Sequence, residues 1–216
     1  HADTQPFKPL FVKERPEIVT LGTPELAPEC KNTSYISPKQ WHEALESNED
    51  TVVLDVRNDY ETEVGVFKNA IDPKLKQFSD FPAFVRASEI PKDKKVLMYC
   101  TGGIRCEKAL LAMRQEGYQN VYQLKGGILK YLEQYPDGHF EGECFVFDHR
   151  TAVNKHLQPS NRYHLCPLSG DPADRHISCR HCGHSAFVHR KCEEQGRCFC
   201  SKDCEHRHQI TSPASS

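Results

Sequence analysis

Cys100 and Arg105, with four residues between them in the run Cys100-Thr101-Gly102-Gly103-Ile104-Arg105-Cys106, put a nucleophile and a cation at loop spacing. The thiolate is the reactive form of cysteine, and a neighbouring guanidinium favours it. Gly102 and Gly103 can take φ > 0, so a tight turn here can aim successive backbone N–H groups at one point. The run leads into a helical stretch, whose positive dipole end acts in the same sense. Cys100 is therefore expected to have a depressed pKa and to be nucleophilic near neutral pH. Cys106 falls at the helix opening, where its side chain is expected to point back along the helix, away from the centre of the cradle. Packing, tuning and a resolving role toward an oxidised Cys100 remain open for it.

Loop length narrows the chemistry. Cysteine phosphatases use a loop one residue longer to wrap a tetrahedral phosphate, and the shorter cradle here suits a single added sulfur atom. The Cys-x4-Arg loop between a strand and a helix resembles the active-site loop of rhodanese domains, in which the cysteine becomes a persulfide. A buried structural cysteine beside a turn is the competing reading, disfavoured by the Gly-Gly-x-Arg that follows.

The elements that must hold this loop are legible on either side. Residues 95–99 are apolar and β-branched, a buried strand, and residues 107–116 are rich in helix formers and closed by Gly117. Residues 51–57 read as a parallel strand buried on both faces. Asp55 and Arg57 end it, on the side of an α/β sheet where sites form. They either support the active loop or are a pair that fixes a turn with no chemical role. Ser37-Pro38-Lys39-Gln40 signals a capped helix start, with Trp41, Ala44 and Leu45 facing inward. Phe78, Phe81 and Phe84 mark a further helical stretch. Residues 120–128 form a strand ending in the Gly126-Gly127 turn, followed by a short helix to Tyr135. Alternating strands and helices predict an α/β fold with a doubly wound parallel sheet, and the resemblance of the loop implies that this sheet is rhodanese-like.

Three regions result: an extended N-terminal lead-in over residues 1–30, with five prolines and short extended pieces at 10–12 and 18–21; a rhodanese domain over 31–138; and a C-terminal extension over 139–216. The rhodanese resemblance continues through Asp55-x-Arg57, Glu61, Gly65 and Ala70, and through Leu124-Lys125-Gly126-Gly127. Val66-Phe67 stand where the wider superfamily commonly has His-Ile, and Asn69 where it has Gly. The departures point to one branch. Gly65-x-Phe67-Lys68-x-Ala70, the Cys100 run continued by Glu107-Lys108-Ala109, the Leu124–Ile128 turn with Tyr131-Leu132-Glu133, and residues 142–150 resemble the tRNA uridine hydroxylase family. Vertebrate rhodanese-domain proteins share these stretches. The resemblance implies oxygen-dependent conversion of wobble uridine to 5-hydroxyuridine, with tRNA as partner, molecular oxygen as co-substrate and Cys100 as essential nucleophile. Bacterial members carry an N-terminal domain before a segment that residues 7–19 resemble, so that domain is expected to be missing here.

Seven of the eleven cysteines lie in the last quarter, which argues for metal binding in a reducing, cytoplasmic setting rather than a secreted disulfide scaffold. Cys179 with Cys182, and Cys200 with Cys204, form two close pairs able to surround a structural Zn²⁺. Cys166, Cys192, Cys198, His176, His181 and His184 compete as ligands. Arg175, Arg180, Arg190, Lys191, Arg197, Lys202 and Arg207 around this module could meet RNA phosphates or simply be a solvated face. Residues 210–216 read as disordered. The net charge of −2 gives no overall nucleic-acid footprint, and no apolar run is long enough for a membrane span. Three functions follow: tRNA hydroxylation, sulfur transfer through Cys100 from thiosulfate or a persulfide donor, and a non-enzymatic zinc-binding interaction module. The intact loop argues against the third.

Overall fold

The structure, a computed structural model, describes residues 19–22, 34–47 and 50–211. Two compact units are present, one holding the chain to Phe145 together with residues 153–158, the other holding residues 146–152 and those from 159 onward. The extended piece expected at 10–12 lies outside the described residues, as do residues 212–216 of the tail. Leu21 is buried in the core of the first unit, and Ile210 and Thr211 continue a helix.

The first unit runs β1 (Tyr35–Ile36), α1 (Pro38–Glu46), β2 (Thr51–Asp55), α2 (Asp59–Thr62), β3 (Gly65–Phe67), a single 3₁₀ turn (Phe78–Asp80), α3 (Phe81–Ala87), β4 (Lys95–Tyr99), α4 (Ile104–Gln115), β5 (Val121–Leu124), α5 (Gly127–Leu132) and β6 (Phe140–Gly142). Four strands form a parallel sheet in the order β1-β5-β4-β2. Its central strand β4 is apolar on both faces because both are covered. Val96 and Met98 join Leu54 and Val56 against Phe81 and Val85 of α3 and Ala109, Leu110 and Met113 of α4. On the opposite face Tyr99 meets Trp41 of α1 and Phe67 of β3, and Phe67 meets Tyr131 of α5 at 4.8 Å between ring centres. The sheet is thus doubly wound, α3 and α4 on one side and α1 and α5 on the other.

Local chemistry explains the ends of these elements. In α1 the Ser37 hydroxyl accepts from the Gln40 N–H at 3.2 Å, and the Gln40 side chain accepts from the Ser37 N–H at 2.9 Å, the capping box the sequence predicts. Trp41 is fully buried, whereas Ala44 and Leu45 are half-buried. Helix α4 begins at Ile104, three residues before its expected start, because Gly103 takes φ +98° and already serves as the cap. The first unit also runs on past residue 138: β6 pairs antiparallel with β3, Gly65 opposite Gly142, and carries the chain to Phe145.

The second unit holds a hairpin of Arg175–Ser178 with Ser185–Val188, a shorter antiparallel pair of His164–Leu165 with Pro172–Ala173, and helices Arg190–Glu194 and Lys202–Thr211. Its interior is small and sulfur-rich: Cys166, Leu168, Ala173, Ile177, Cys179, Val188, Cys192 and Phe199. Helix Lys202–Thr211 buries none of its residues. Among the described residues, no helix is long and apolar enough to cross a membrane.

Candidate active site

Cys100 leaves the C-terminal end of β4 and is buried. Its sulfur accepts the Gly103 N–H at 3.1 Å. Burial opposes ionisation of this thiol, but the Cys106 thiol, the Arg105 charge and the N–H groups of Cys106 and Arg105 outweigh it and bring the pKa down to about 6. The early start of α4 is what supplies those N–H groups, since it puts Arg105 and Cys106 in the first helical turn. Cys106 does not turn away from the cradle as the sequence reading expected: its thiol donates to the Cys100 sulfur. Its own pKa is pushed well above the usual thiol range, first by burial and then by the adjacent Cys100.

Arg105 is held by a partner that the sequence reading did not identify. Its guanidinium forms a two-pronged pair with Glu61, including Nη2 to Oε1 at 2.7 Å, and both side chains are buried. The Thr101 hydroxyl donates to the same carboxylate at 3.2 Å. Burial works against the guanidinium's charge, and the hydrogen bonds and charge of Glu61 more than restore it. Glu61 reaches this position from α2, where its carboxylate also caps the turn by accepting the Asn58 N–H at 3.2 Å. An Asn-x-x-Glu pattern just past Asp55-x-Arg57 was the available signal.

Asp55 and Arg57 are both fully buried and face each other, Nη2 to Oδ2 at 2.7 Å. The same Nη2 donates to the Gly65 carbonyl at 2.7 Å, and the guanidinium lies over the rings of Tyr99 and Phe140. These contacts tie the end of β2 to β3 and β6. Arg57 also donates to the Glu61 carbonyl at 3.5 Å. Cys144 is buried within the electrostatic reach of Arg57, Glu61 and Cys100, and burial pushes its thiol up to about 12.

The Gly126-Gly127 turn proves to be part of the loop's support. The Ile128 and Leu129 N–H groups donate to the carbonyls of Cys100 and Thr101 at 3.0 and 3.2 Å. That approach leaves no room for a side chain: a Cβ on Gly127 would lie 2.5 Å from both carbonyl oxygens. Glycine is needed there for its φ of +64° as well as for space.

A thiol of lowered pKa on a strand-to-helix loop, a buried arginine and a second glycine turn beside the loop now stand together, and known proteins share parts of this chain. The family model described as a rhodanese-like domain matches residues 37–134, and one described as the rhodanese C-terminal region matches residues 141–205. A Bdellovibrio bacteriovorus protein named tRNA uridine(34) hydroxylase is 45% identical over 204 residues, covering 94% of this chain and 58% of that protein. Proteins of the same name from Picosynechococcus sp. and Rhizobium etli are 47% and 45% identical, covering 84% and 85% of this chain and 64% and 63% of theirs. The chain carries a rhodanese-like domain followed by the rhodanese C-terminal region, and along most of its length it is similar to proteins named tRNA uridine(34) hydroxylase. It spans about three fifths of the length of these relatives.

In this rhodanese-domain chain the second unit assembles the four cysteines picked out by their spacing. One sulfur from each of Cys179, Cys182, Cys200 and Cys204 lies within 4.8 Å of the others. Cys182 is 3.5 Å from Cys200 and 3.7 Å from Cys204, and Cys200 is 3.6 Å from Cys204. Tetrahedral Zn–S bonds of about 2.3 Å would set sulfurs about 3.8 Å apart, so the set fits a thiolate-bound ion. His184 Nδ1 sits 3.2 Å from Cys182. Cys166 and Cys192 face each other instead, at 3.9 Å. Of the cations considered for RNA, Arg175, Arg190, Arg197 and Arg207 face Glu193, Glu194, Glu205 and Asp203.

Proposed function

We propose that this chain carries the catalytic thiol of an oxygen-dependent hydroxylase that converts wobble uridine in tRNA to 5-hydroxyuridine. The reading rests on one joint observation: 45% identity across nearly the whole chain to proteins named tRNA uridine(34) hydroxylase, with the Cys100 loop complete and its thiol poised at about 6. Cys100 is the nucleophile. Arg105, the Gly103 N–H and the Cys106 thiol hold its thiolate, while Thr101, Gly102, Gly103 and Ile104 shape the cradle. Asp55 and Arg57 act as positioning residues for the surrounding turns. tRNA is the partner, molecular oxygen the co-substrate and a reducing cytoplasm the setting.

Residues 31–138 are assigned to the rhodanese domain, residues 1–30 to its lead-in and residues 139–216 to the zinc-bearing extension. Cys179, Cys182, Cys200 and Cys204 would hold a structural Zn²⁺, which would close four thiolates around a unit too poor in apolar residues to be stable on hydrophobic burial alone. Unmodified tRNA incubated with the protein under oxygen and under argon, then digested and analysed by mass spectrometry, tests the hydroxylase. Hydroxyuridine formed only with oxygen and only by the protein with Cys100 supports it. No hydroxyuridine from a chain extended to the full length of its relatives would overturn it.

Sulfur transfer remains a second reading, favoured by the four-residue cradle. The Cys100 thiolate would attack the sulfane sulfur of thiosulfate, breaking the S–S bond, releasing sulfite and leaving a persulfide. A gain of one sulfur on the Cys100 peptide after thiosulfate treatment supports this route.

A further inference from the structure

We propose that His42, Glu46 and His139 form a second metal site, for a divalent first-row transition ion, on the opposite side of the sheet from α4. One ligand atom from each of the three lies within 4.8 Å of the others. His42 and Glu46 are one turn apart on α1, with His42 Nε2 3.4 Å from Glu46 Oε1. Two ligands at bonds of about 2.0–2.1 Å in a tetrahedral shell lie about 3.3 Å apart, so this edge already has the spacing of a coordinated pair.

Neighbouring groups fix the ring that would bind. Tyr131 of α5 hydrogen-bonds His42 Nδ1 at 2.9 Å, and its hydroxyl oxygen also accepts the His139 N–H at 3.1 Å. The His42 ring stacks on Tyr135, with centres 4.1 Å apart and planes 12° apart, and His139 follows at 4.9 Å. One hydroxyl therefore holds the His42 ring and the His139 backbone, and with Nδ1 occupied the Nε2 of His42 is the atom left to face Glu46. An outer hydrogen bond on the far nitrogen is the usual companion of a metal-bound imidazole.

His139 supplies the second observation: its Nε2 is buried and has no hydrogen-bond partner. An unpaired buried polar atom is costly, and this one belongs to a ring that stands beside the His42 imidazole and is grouped with Glu46 at ligand spacing. A proton on His42 would satisfy only the contact with Glu46. A single dication would take one donor atom from each of the three side chains, and two imidazoles with one carboxylate suit zinc, iron, cobalt or nickel rather than calcium or magnesium. His139 opens onto a cleft lined by Thr51, Val53, Lys68 and Asn69, none of them in the Cys100 loop. Thr51 begins β2, whereas Cys100 follows the end of β4, so this ion would clamp α1 to the segment after α5 rather than join the thiol chemistry.

The test uses the whole chain, first saturated with Zn²⁺ at its thiolate site and freed of excess metal. Titration with Co²⁺, followed by calorimetry and by paramagnetic shifts of histidine ring resonances, should show one further equivalent bound with His42 and His139 displaced. Glu46→Gln and His139→Gln should each weaken that binding at least tenfold. Glu46 is exposed, so its variant keeps the fold, which far-UV circular dichroism checks. Tyr131→Phe should weaken it by about tenfold as well. No further uptake by the wild-type chain, or uptake that is the same in Glu46→Gln and His139→Gln, would overturn the site.

Discussion

Arg105 Nη2 lies 2.7 Å from Glu61 Oε1, so the cation that favours the Cys100 thiolate is itself anchored to a buried carboxylate on another element. The anchor fixes where the positive charge sits. It also offsets part of that charge, so the thiolate depends as much on the loop's N–H groups and the Cys106 thiol as on the arginine. The Thr101 hydroxyl on the same carboxylate locks the loop to α2.

Replacing Glu61 with alanine should therefore destabilise the first unit by about 3–5 kcal/mol, the range for leaving one member of a buried pair without its counter-charge. Urea unfolding measures it. A loss below about 1 kcal/mol would show that Arg105 finds water once its partner is gone.

Alkylation of Cys100 by iodoacetamide should follow thiolate formation with a midpoint near pH 6, and Arg105→Ala should move that midpoint up toward the ordinary thiol value of 9.0. Stability should respond too. Because the pKa is lower in the folded chain, the contribution of Cys100 is complete above about 9 and is lost as pH falls through about 6. Cys106, raised on folding, acts in the opposite sense above about 9, which leaves pH 6–9 as the window for reading Cys100. An unchanged alkylation profile in Arg105→Ala would assign the shift to the N–H groups and Cys106 alone.

What the sequence disclosed follows from how local each signal is. The Ser37–Gln40 cap, the strand before Cys100 and the two close cysteine pairs are decided within a few residues, and the structure shows each as read. Glu61 was not legible as the partner of Arg105 because the two are separated by 44 positions and meet only when β2 and β4 pair. Helix α4 was placed three residues late because Gly103 was counted as loop, although in the left-handed region it caps the helix. Cys106 was misdirected for the same reason. A helix starting earlier puts its thiol toward Cys100.

Gly127→Ala should cost about 3 kcal/mol, since it combines a strained φ of +64° with a Cβ 2.5 Å from the carbonyls of Cys100 and Thr101. The loop, rather than α5, is the part expected to give way. Thermal unfolding and the Cys100 alkylation rate should fall together, and a stable protein with unchanged alkylation would mean the two glycine turns do not need their close approach.

Cys106 offers the sharpest separation between tuning and chemistry. Its thiol donates to Cys100, so Cys106→Ser, which keeps a donor, should leave the Cys100 midpoint near 6, while Cys106→Ala should raise it. Persulfide formation should survive in both and vanish in Cys100→Ser, because only Cys100 has its ionisation favoured whereas Cys106 is held in the neutral form. Peroxide adds a second readout. Oxidation of Cys100 to a sulfenic acid would let a neighbouring thiol displace water and form a disulfide. Peptide mapping that finds a Cys100–Cys106 cross-link would make Cys106 a resolving thiol as well as a donor. Overoxidised Cys100 beside an intact Cys106 would restrict Cys106 to the hydrogen bond.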